Sequence, residues 1–286
     1  MSEEHLYARH DRRFATNRFV YPVLSRRAGG LSIGVNLNPD KACNFHCLYC
    51  QVDRSVASET RFVELDTVLA ELERILPWAA SGEIYEHPLF CHVPRECRRL
   101  NDIAFSGDGE PTTYRNFDQI MAGCAEVKRR QGLHHVKLVL ITNASRLHRP
   151  EVQRGLATLD ANQGEIWAKL DAGTEDYFRL VARARVSLAR ILENITTAAR
   201  VRPLVIQALF MRIRDDPPPA VELEAFCQRL RDITAAGGRL QLIQVYTVAR
   251  PPAEPYIKPL RDAEVDAIAD LVRQRTGLPV AAYYAA

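Results

Sequence analysis

Three cysteines, Cys43, Cys47 and Cys50, fall within the run Cys-Asn-Phe-His-Cys-Leu-Tyr-Cys. Thiolates this close on one loop can converge on a single inorganic centre, and three of them leave one metal position free. In a 4Fe-4S cluster held by three thiolates, the fourth iron carries no protein ligand and takes an exogenous one. Open coordination is what a catalytic centre needs, whereas structural zinc sites are usually closed. Zinc suits the spacing less well, because only Cys47 and Cys50 form a C-x2-C pair, with His46 adjacent. Nothing else suggests disulfides. Residues 1–30 are rich in Arg, His and Glu and lack the apolar stretch of a signal peptide. No run approaches the ~18 apolar residues of a membrane span. The expectation is a cytoplasmic protein whose thiols stay reduced.

A centre of this kind has to be positioned by a scaffold. With 286 residues and 47% hydrophobic content, the chain has material for one large α/β domain and its core. The net charge is only +3, and Lys41, Lys128, Lys137, Lys169 and Lys258 are the five lysines among 38 basic residues. An arginine excess suits phosphate or RNA contact, and a compositional bias produces the same excess. Apolar, β-branched runs predict strands at 31–37, 102–105, 137–141, 165–170, 204–210 and 240–245. Helix-like stretches alternate with them at 65–76, 116–130, 151–159, 187–200, 220–235 and 262–275. In the first, Leu65, Val68, Leu69, Leu72, Ile75 and Leu76 make one apolar face. Such alternation argues for βαβ units and a parallel sheet. Six units make an incomplete (β/α)6 barrel.

The distinctive residues all follow these strands. The cysteine loop comes after the first, Gly107-Asp108-Gly109-Glu110-Pro111 after the second, and Thr142-Asn143-Ala144-Ser145 after the third. Asp171-Ala172-Gly173, Met211-Arg212 and Tyr246–Arg250 follow the fourth, fifth and sixth. That end of the strands is where barrel enzymes assemble active sites. The two glycines of the 107–111 loop would let the backbone approach a ligand and expose its N–H and C=O groups. The same loop also reads as a tight strand-to-helix turn with Glu110 at the helix start. Thr142, Asn143 and Ser145 are short polar side chains suited to ribose hydroxyls, and Asn143 suits an ordinary turn equally. Lys169 and Asp171 read as contacts to cofactor or substrate, or as a structural ion pair.

The C-x3-C-x2-C spacing with an aromatic, Tyr49, before the last cysteine resembles the signature of the radical S-adenosylmethionine (SAM) enzymes. The resemblance implies a 4Fe-4S cluster on Cys43, Cys47 and Cys50, with SAM chelated by the open iron and cleaved reductively to a 5'-deoxyadenosyl radical. It also implies that the Gly-Glu-Pro loop, Gly107 to Pro111, contacts the SAM amino group through backbone carbonyls and Glu110. Family members often carry Thr-Asn-Gly where this chain has Thr142-Asn143-Ala144. Longer stretches are similar to an uncharacterised branch related to wybutosine-synthesis iron-sulfur oxidoreductases: Tyr21–Arg27, Ser32–Asn36, Gln51–Asp53, Phe105–Thr112, Gln244–Thr247 and Arg250–Pro252. The likeness spans about residues 20–255. It implies a single radical SAM domain over 1–286, a flavodoxin- or ferredoxin-like electron donor, and a substrate left open between tRNA and a small molecule. No polybasic stripe speaks for tRNA.

Other residues carry weaker signals. Cys91 and Cys97 lie with His87 and His92 in a Pro-punctuated insertion, residues 77–101, whose spacing matches no standard metal site and which reads as a lid over the barrel mouth. Cys124 and Cys227 fall on helical faces as small core residues. Gly30-Leu31-Ser32-Ile33-Gly34 matches the hydrolase elbow G-x-S-x-G, but Ser32 opens a strand instead of following one. His134 and His135 are adjacent and point apart. Leu278–Tyr284 suits an edge strand after the last helix. The rival reading is an iron-sulfur or zinc module for binding or electron transfer, which would need the cysteines but not Gly109-Glu110-Pro111 or Thr142-Asn143.

Overall fold

The computed structural model describes residues 12, 14–55, 58, 60, 62–252 and 254–285. Among them no helix is long and apolar enough to cross a membrane. The fold is mixed α/β and dominated by parallel strands, and the chain divides into two compact units.

The first unit takes in residues 1–42, 57–141 and 149–165. Its strands are β1 (Val20–Ser25), β2 (Gly30–Val35), β3 (Leu100–Phe105) and β4 (Lys137–Thr142), in that spatial order, and only β1 runs antiparallel. Its helices are α1 (Leu65–Ser81), α2 (Phe117–Arg130) and α3 (Pro150–Asp160). β2 is buried along its whole length, as a strand covered on both faces must be. β1 was not legible, since Pro22 interrupts its run and demotes it to an edge. Glu71 on α1 anchors its start, accepting the backbone N–H groups of Arg18, Phe19 and Val20 at 2.7, 2.9 and 2.9 Å.

Two expectations for this unit are corrected. α1 does not stop before Pro77; it continues through it to Ser81 and ends at Gly82, whose φ of 84° needs glycine. Proline removes the N–H that would reach the Glu73 carbonyl, and the side-chain amide of Gln131 donates to that carbonyl instead, at 3.0 Å. The segment that links α1 to β3 therefore begins at Gly82. It joins the C-terminal end of α1 to the N-terminal end of β3, and the Leu31 N–H bonds to the Arg99 carbonyl at 2.8 Å where β2 begins. It lies at the opposite strand ends from the 107–111 loop and is not a lid over that loop. His87 packs into an aromatic cluster with Phe14, Trp78 and Phe90.

A buried carboxylate sits in the sheet of this unit. Asp102 on β3 accepts the Ser32 hydroxyl from its register partner on β2, and burial pushes its pKa up to about 6. A raised carboxylate pKa means that the folded chain binds its proton before the unfolded chain does. Stability therefore falls as pH rises from about 4 to about 6, by about 3 kcal/mol for a shift of about two units. Asp102→Asn keeps the acceptor and removes the charge. Its stability relative to wild type, from urea unfolding, is expected to improve by about 2–3 kcal/mol between pH 4 and pH 7; a pH-independent difference would contradict this.

The second unit takes in residues 43–56, 142–148 and 166–286. It contains β5 (Gly164–Lys169) from Ile166 onward, β6 (Leu204–Leu209), β7 (Arg212–Ile213), β8 (Leu240–Tyr246), β9 (Ile257–Lys258) and β10 (Val280–Tyr283). β5, β6, β8 and β10 lie side by side, all parallel, and β7 pairs with β9 antiparallel. The edge strand expected at 278–284 is β10. The helices are α4 (Glu175–Ala182), α5 (Leu188–Val201), α6 (Ala220–Ala235) and α7 (Asp262–Thr276). α4 was missed, although Thr174 caps it by accepting the Tyr177 N–H and Glu175 and Asp176 fill its first turn. Cys124 and Cys227 are fully buried.

Candidate cofactor site

The residues singled out in the first unit form a closed turn. Asn36, just past β2, donates its amide to Asp108 Oδ2 at 2.8 Å and accepts the Asp108 N–H at 3.2 Å, while Arg12 Nε reaches Asp108 Oδ1 at 3.3 Å. Gly107 and Gly109 are needed for a different closeness from the one expected. A Cβ on Gly107 would lie 2.1 Å from Asn36 Oδ1, and one on Gly109 would lie 2.1 Å from the Ala42 carbonyl oxygen. What approaches these glycines is the chain leading into the cysteine loop. Glu110 is buried and caps the 3-10 turn that starts at Pro111, accepting the Thr112 N–H at 3.2 Å. Glu110 thus has the helix-start role that was one of its two readings.

In the second unit the cysteine loop is tied down along its length. His46 N–H and Leu48 N–H donate to the Ala182 and Val181 carbonyls at 3.1 and 2.9 Å, so the loop caps the C-terminus of α4. Cys50 N–H returns to the Cys47 carbonyl at 3.0 Å, closing a turn between two of the thiols. Asn44, which sequence reading passed over, donates to Ser145 Oγ at 2.7 Å and accepts from Asn143 Nδ2 at 3.0 Å. Gln51 Nε2 donates to the Arg250 carbonyl at 2.9 Å. Tyr49 OH donates to Asp171 Oδ2. The 142–145, 171–173 and 246–250 loops are thereby brought to the cysteine loop.

The 142–145 loop keeps its turn despite lacking glycine. Ala144 adopts φ 61° and is fully buried, with Thr142 Oγ1 accepting its N–H at 3.0 Å and Asn194 Nδ2 donating to its carbonyl at 2.8 Å. Alanine tolerates the left-handed region at a cost of about 1–2 kcal/mol, and a β-branched residue fits it far less. Ala144→Val is expected to lower unfolding stability by about 3 kcal/mol, from backbone strain and overpacking, while Ala144→Gly stays within about 1 kcal/mol of wild type. Equal stability of both variants would show that the turn does not need this backbone.

Lys169 and Asp171 meet. Lys169 Nζ lies 3.5 Å from Asp171 Oδ2 and 2.8 Å from Tyr246 OH, and sits 4.8 Å over the Tyr49 ring and 5.4 Å over the Tyr246 ring. Asp171 Oδ1 accepts the Leu209 N–H at 2.8 Å. Burial disfavours the Lys169 ammonium, but Asp171 and Tyr246 outweigh it and its pKa is raised. Of the two readings for this pair, the ion pair forms. Burial also pushes the Cys47 thiol up to about 12, against a smaller downward pull from Lys169. It is therefore a thiol at neutral pH, and a bound metal would have to displace its proton.

None of the three cysteines is in a disulfide, and each is partly exposed. Among the described residues no three His, Cys, Asp or Glu side chains come close enough to hold one metal ion. A single zinc ion needs all of its ligands to reach one atom. A cubane cluster binds its cysteines at separate irons, so three soft thiols on one pinned loop fit its demands without that convergence.

No protein-family profile matches this chain. It is 27% identical over 169 residues to the GTPase Obg of Brachyspira hyodysenteriae, covering 58% of this chain and 21% of that protein. It is also 27% identical over 250 residues to a UPF0026 protein of Methanocaldococcus jannaschii, covering 83% of this chain and 65% of that one. The chain thus spans between a fifth and just under two thirds of these curated relatives. The G-x-x-x-x-G-K-[ST] run of a nucleotide phosphate loop does not occur in this sequence. Among solved structures it resembles TYW1 with a lysine-pyruvate adduct bound, at TM-score 0.50 and 13% identity, covering 96% of this chain and 90% of that one. The chain has a TYW1-like fold and UPF0026 relatives, in keeping with the resemblance carried by its motifs.

Proposed function

We propose that this protein is a radical SAM enzyme built on an incomplete (β/α)6 barrel, a single catalytic domain in which Cys43, Cys47 and Cys50 hold a 4Fe-4S cluster. The observation that carries the reading is the cysteine loop itself: three thiols on eight residues, pinned by α4 and by three loops that follow parallel strands. When bound, the cluster and SAM would supply reductive cleavage to a 5'-deoxyadenosyl radical for hydrogen abstraction. The chain's own part is to fix the loop, to bury Cys47, and to exclude water with Leu48, Val181, Leu209, Met211 and Val248. Asp108, Gly109 and Glu110, and Thr142, Asn143 and Ser145, are the residues put forward for SAM. A cytoplasmic setting and a flavodoxin- or ferredoxin-like donor follow from the need for a low-potential electron. The motif resemblance to wybutosine-synthesis iron-sulfur oxidoreductases brings tRNA forward as the substrate class, with a small molecule as the alternative.

The test is spectroscopic. Reconstituted, reduced protein should give an EPR signal that changes shape on adding SAM, because SAM would occupy the open iron. A cluster signal indifferent to SAM would instead support the electron-transfer module.

A further inference from the structure

We infer that Lys169 and Asp171 are potential-setting residues of the cluster site, the ammonium favouring the reduced cluster and the carboxylate opposing it. This rests on the cluster-binding reading above. Both side chains meet the cysteine loop at Tyr49, between Cys47 and Cys50. The Lys169 ammonium lies over the Tyr49 ring at 4.8 Å, and Asp171 accepts the Tyr49 hydroxyl. Cys47 packs against the apolar cluster of Leu48, Tyr49, Leu209, Met211 and Val248, and so does Tyr246, which holds Lys169 at 2.8 Å.

Charges in such surroundings are poorly screened and act over longer distances than in water. One-electron reduction adds a negative charge to the cluster, so a fixed cation nearby favours it and a fixed anion resists it; net charge and burial are the protein's main handles on such potentials. Removing either partner should shift the potential, with opposite signs. A role as a plain SAM contact makes a different prediction, because the potential measured without SAM would then not respond.

The experiment is an anaerobic redox titration without SAM, followed by EPR, with iron and sulfide measured on each sample. It compares wild type with Lys169→Met, Asp171→Asn and Tyr246→Phe. At the wild-type midpoint, Lys169→Met should lower the reduced-to-oxidised ratio by about tenfold, about 59 mV for one electron. Asp171→Asn, which keeps an acceptor for Leu209, should raise the ratio by a similar factor. Tyr246→Phe retains both charges and should stay near wild type. Asp171→Asn tests the sign by itself if Lys169→Met does not retain its cluster. Loaded variants with unchanged potentials, or shifts of the same sign, would overturn the inference while leaving the cluster reading intact. A wild-type protein that takes up no cluster would overturn that reading and this inference with it.

Discussion

Replacing Cys43, Cys47 or Cys50 singly by alanine is expected to abolish cluster uptake while leaving the fold in place. Cys43 and Cys50 are partly exposed, so little apolar burial is lost on truncating them, whereas Cys47 packs against the apolar cluster and its truncation costs more. The loop backbone is held independently of the sulfurs, through the Val181 and Ala182 carbonyls, Ser145, Asp171 and the Arg250 carbonyl. Surface truncations usually change stability by within about 0.5 kcal/mol, so the thermal midpoints of Cys43→Ala and Cys50→Ala should stay close to wild type, and Cys47→Ala should keep its far-UV circular dichroism at a somewhat lower midpoint. Iron, sulfide and the visible charge-transfer absorbance after reconstitution should fall to background in all three. Full cluster content in any one variant would remove that cysteine from the ligand set. Cys91→Ala should keep its cluster, since Cys91 lies in the segment between α1 and β3, at the opposite strand ends from the 107–111 loop, and its thiol donates to the Pro88 carbonyl at 3.5 Å.

Asp171→Ala is expected to be the most damaging single change outside the cysteines. One oxygen holds the buried Leu209 N–H at the end of β6, and the other takes the Tyr49 hydroxyl and faces the Lys169 ammonium. Truncation strands a backbone donor, a tyrosine hydroxyl and a largely buried cation at once. Breaking one side of a buried pair costs about 3–5 kcal/mol. Lys169 keeps one fifth of its side chain exposed, so the lower part of that range applies to the pair, and the orphaned N–H adds about 1 kcal/mol or more. A loss of about 4 kcal/mol in urea unfolding is therefore expected. Adding Lys169→Met to Asp171→Ala should recover part of it, because the uncompensated charge is gone. A double variant no more stable than Asp171→Ala would mean that the charge was not the cause.

The candidate site could be read because it depends on local chemistry. The cysteine spacing, the Gly-Asp-Gly-Glu-Pro run and the fully buried strands β2 and β6 are written in consecutive residues. What escaped depends on partners distant in sequence. α1 passes Pro77 because Gln131 satisfies the Glu73 carbonyl. β1 forms beside β2 and is fixed by a carboxylate on α1. α4 is only eight residues long, too short for periodicity to stand out, yet it receives the cysteine loop. The glycines of the 107–111 loop illustrate a subtler miss: their smallness was legible, but the group that approaches them was not. A substitution at Gly109 would therefore press on the Ala42 carbonyl, next to Cys43, and would not act on a cofactor contact alone.

The most direct test of the account is an anaerobic assay for 5'-deoxyadenosine. Wild-type protein and Cys47→Ala are reconstituted with iron and sulfide, reduced with dithionite and incubated with SAM, and the products are separated by chromatography. Radical SAM chemistry predicts 5'-deoxyadenosine from wild type and none from Cys47→Ala. Equal product from the two proteins, or none from a wild type whose cluster is loaded and reduced, would contradict it.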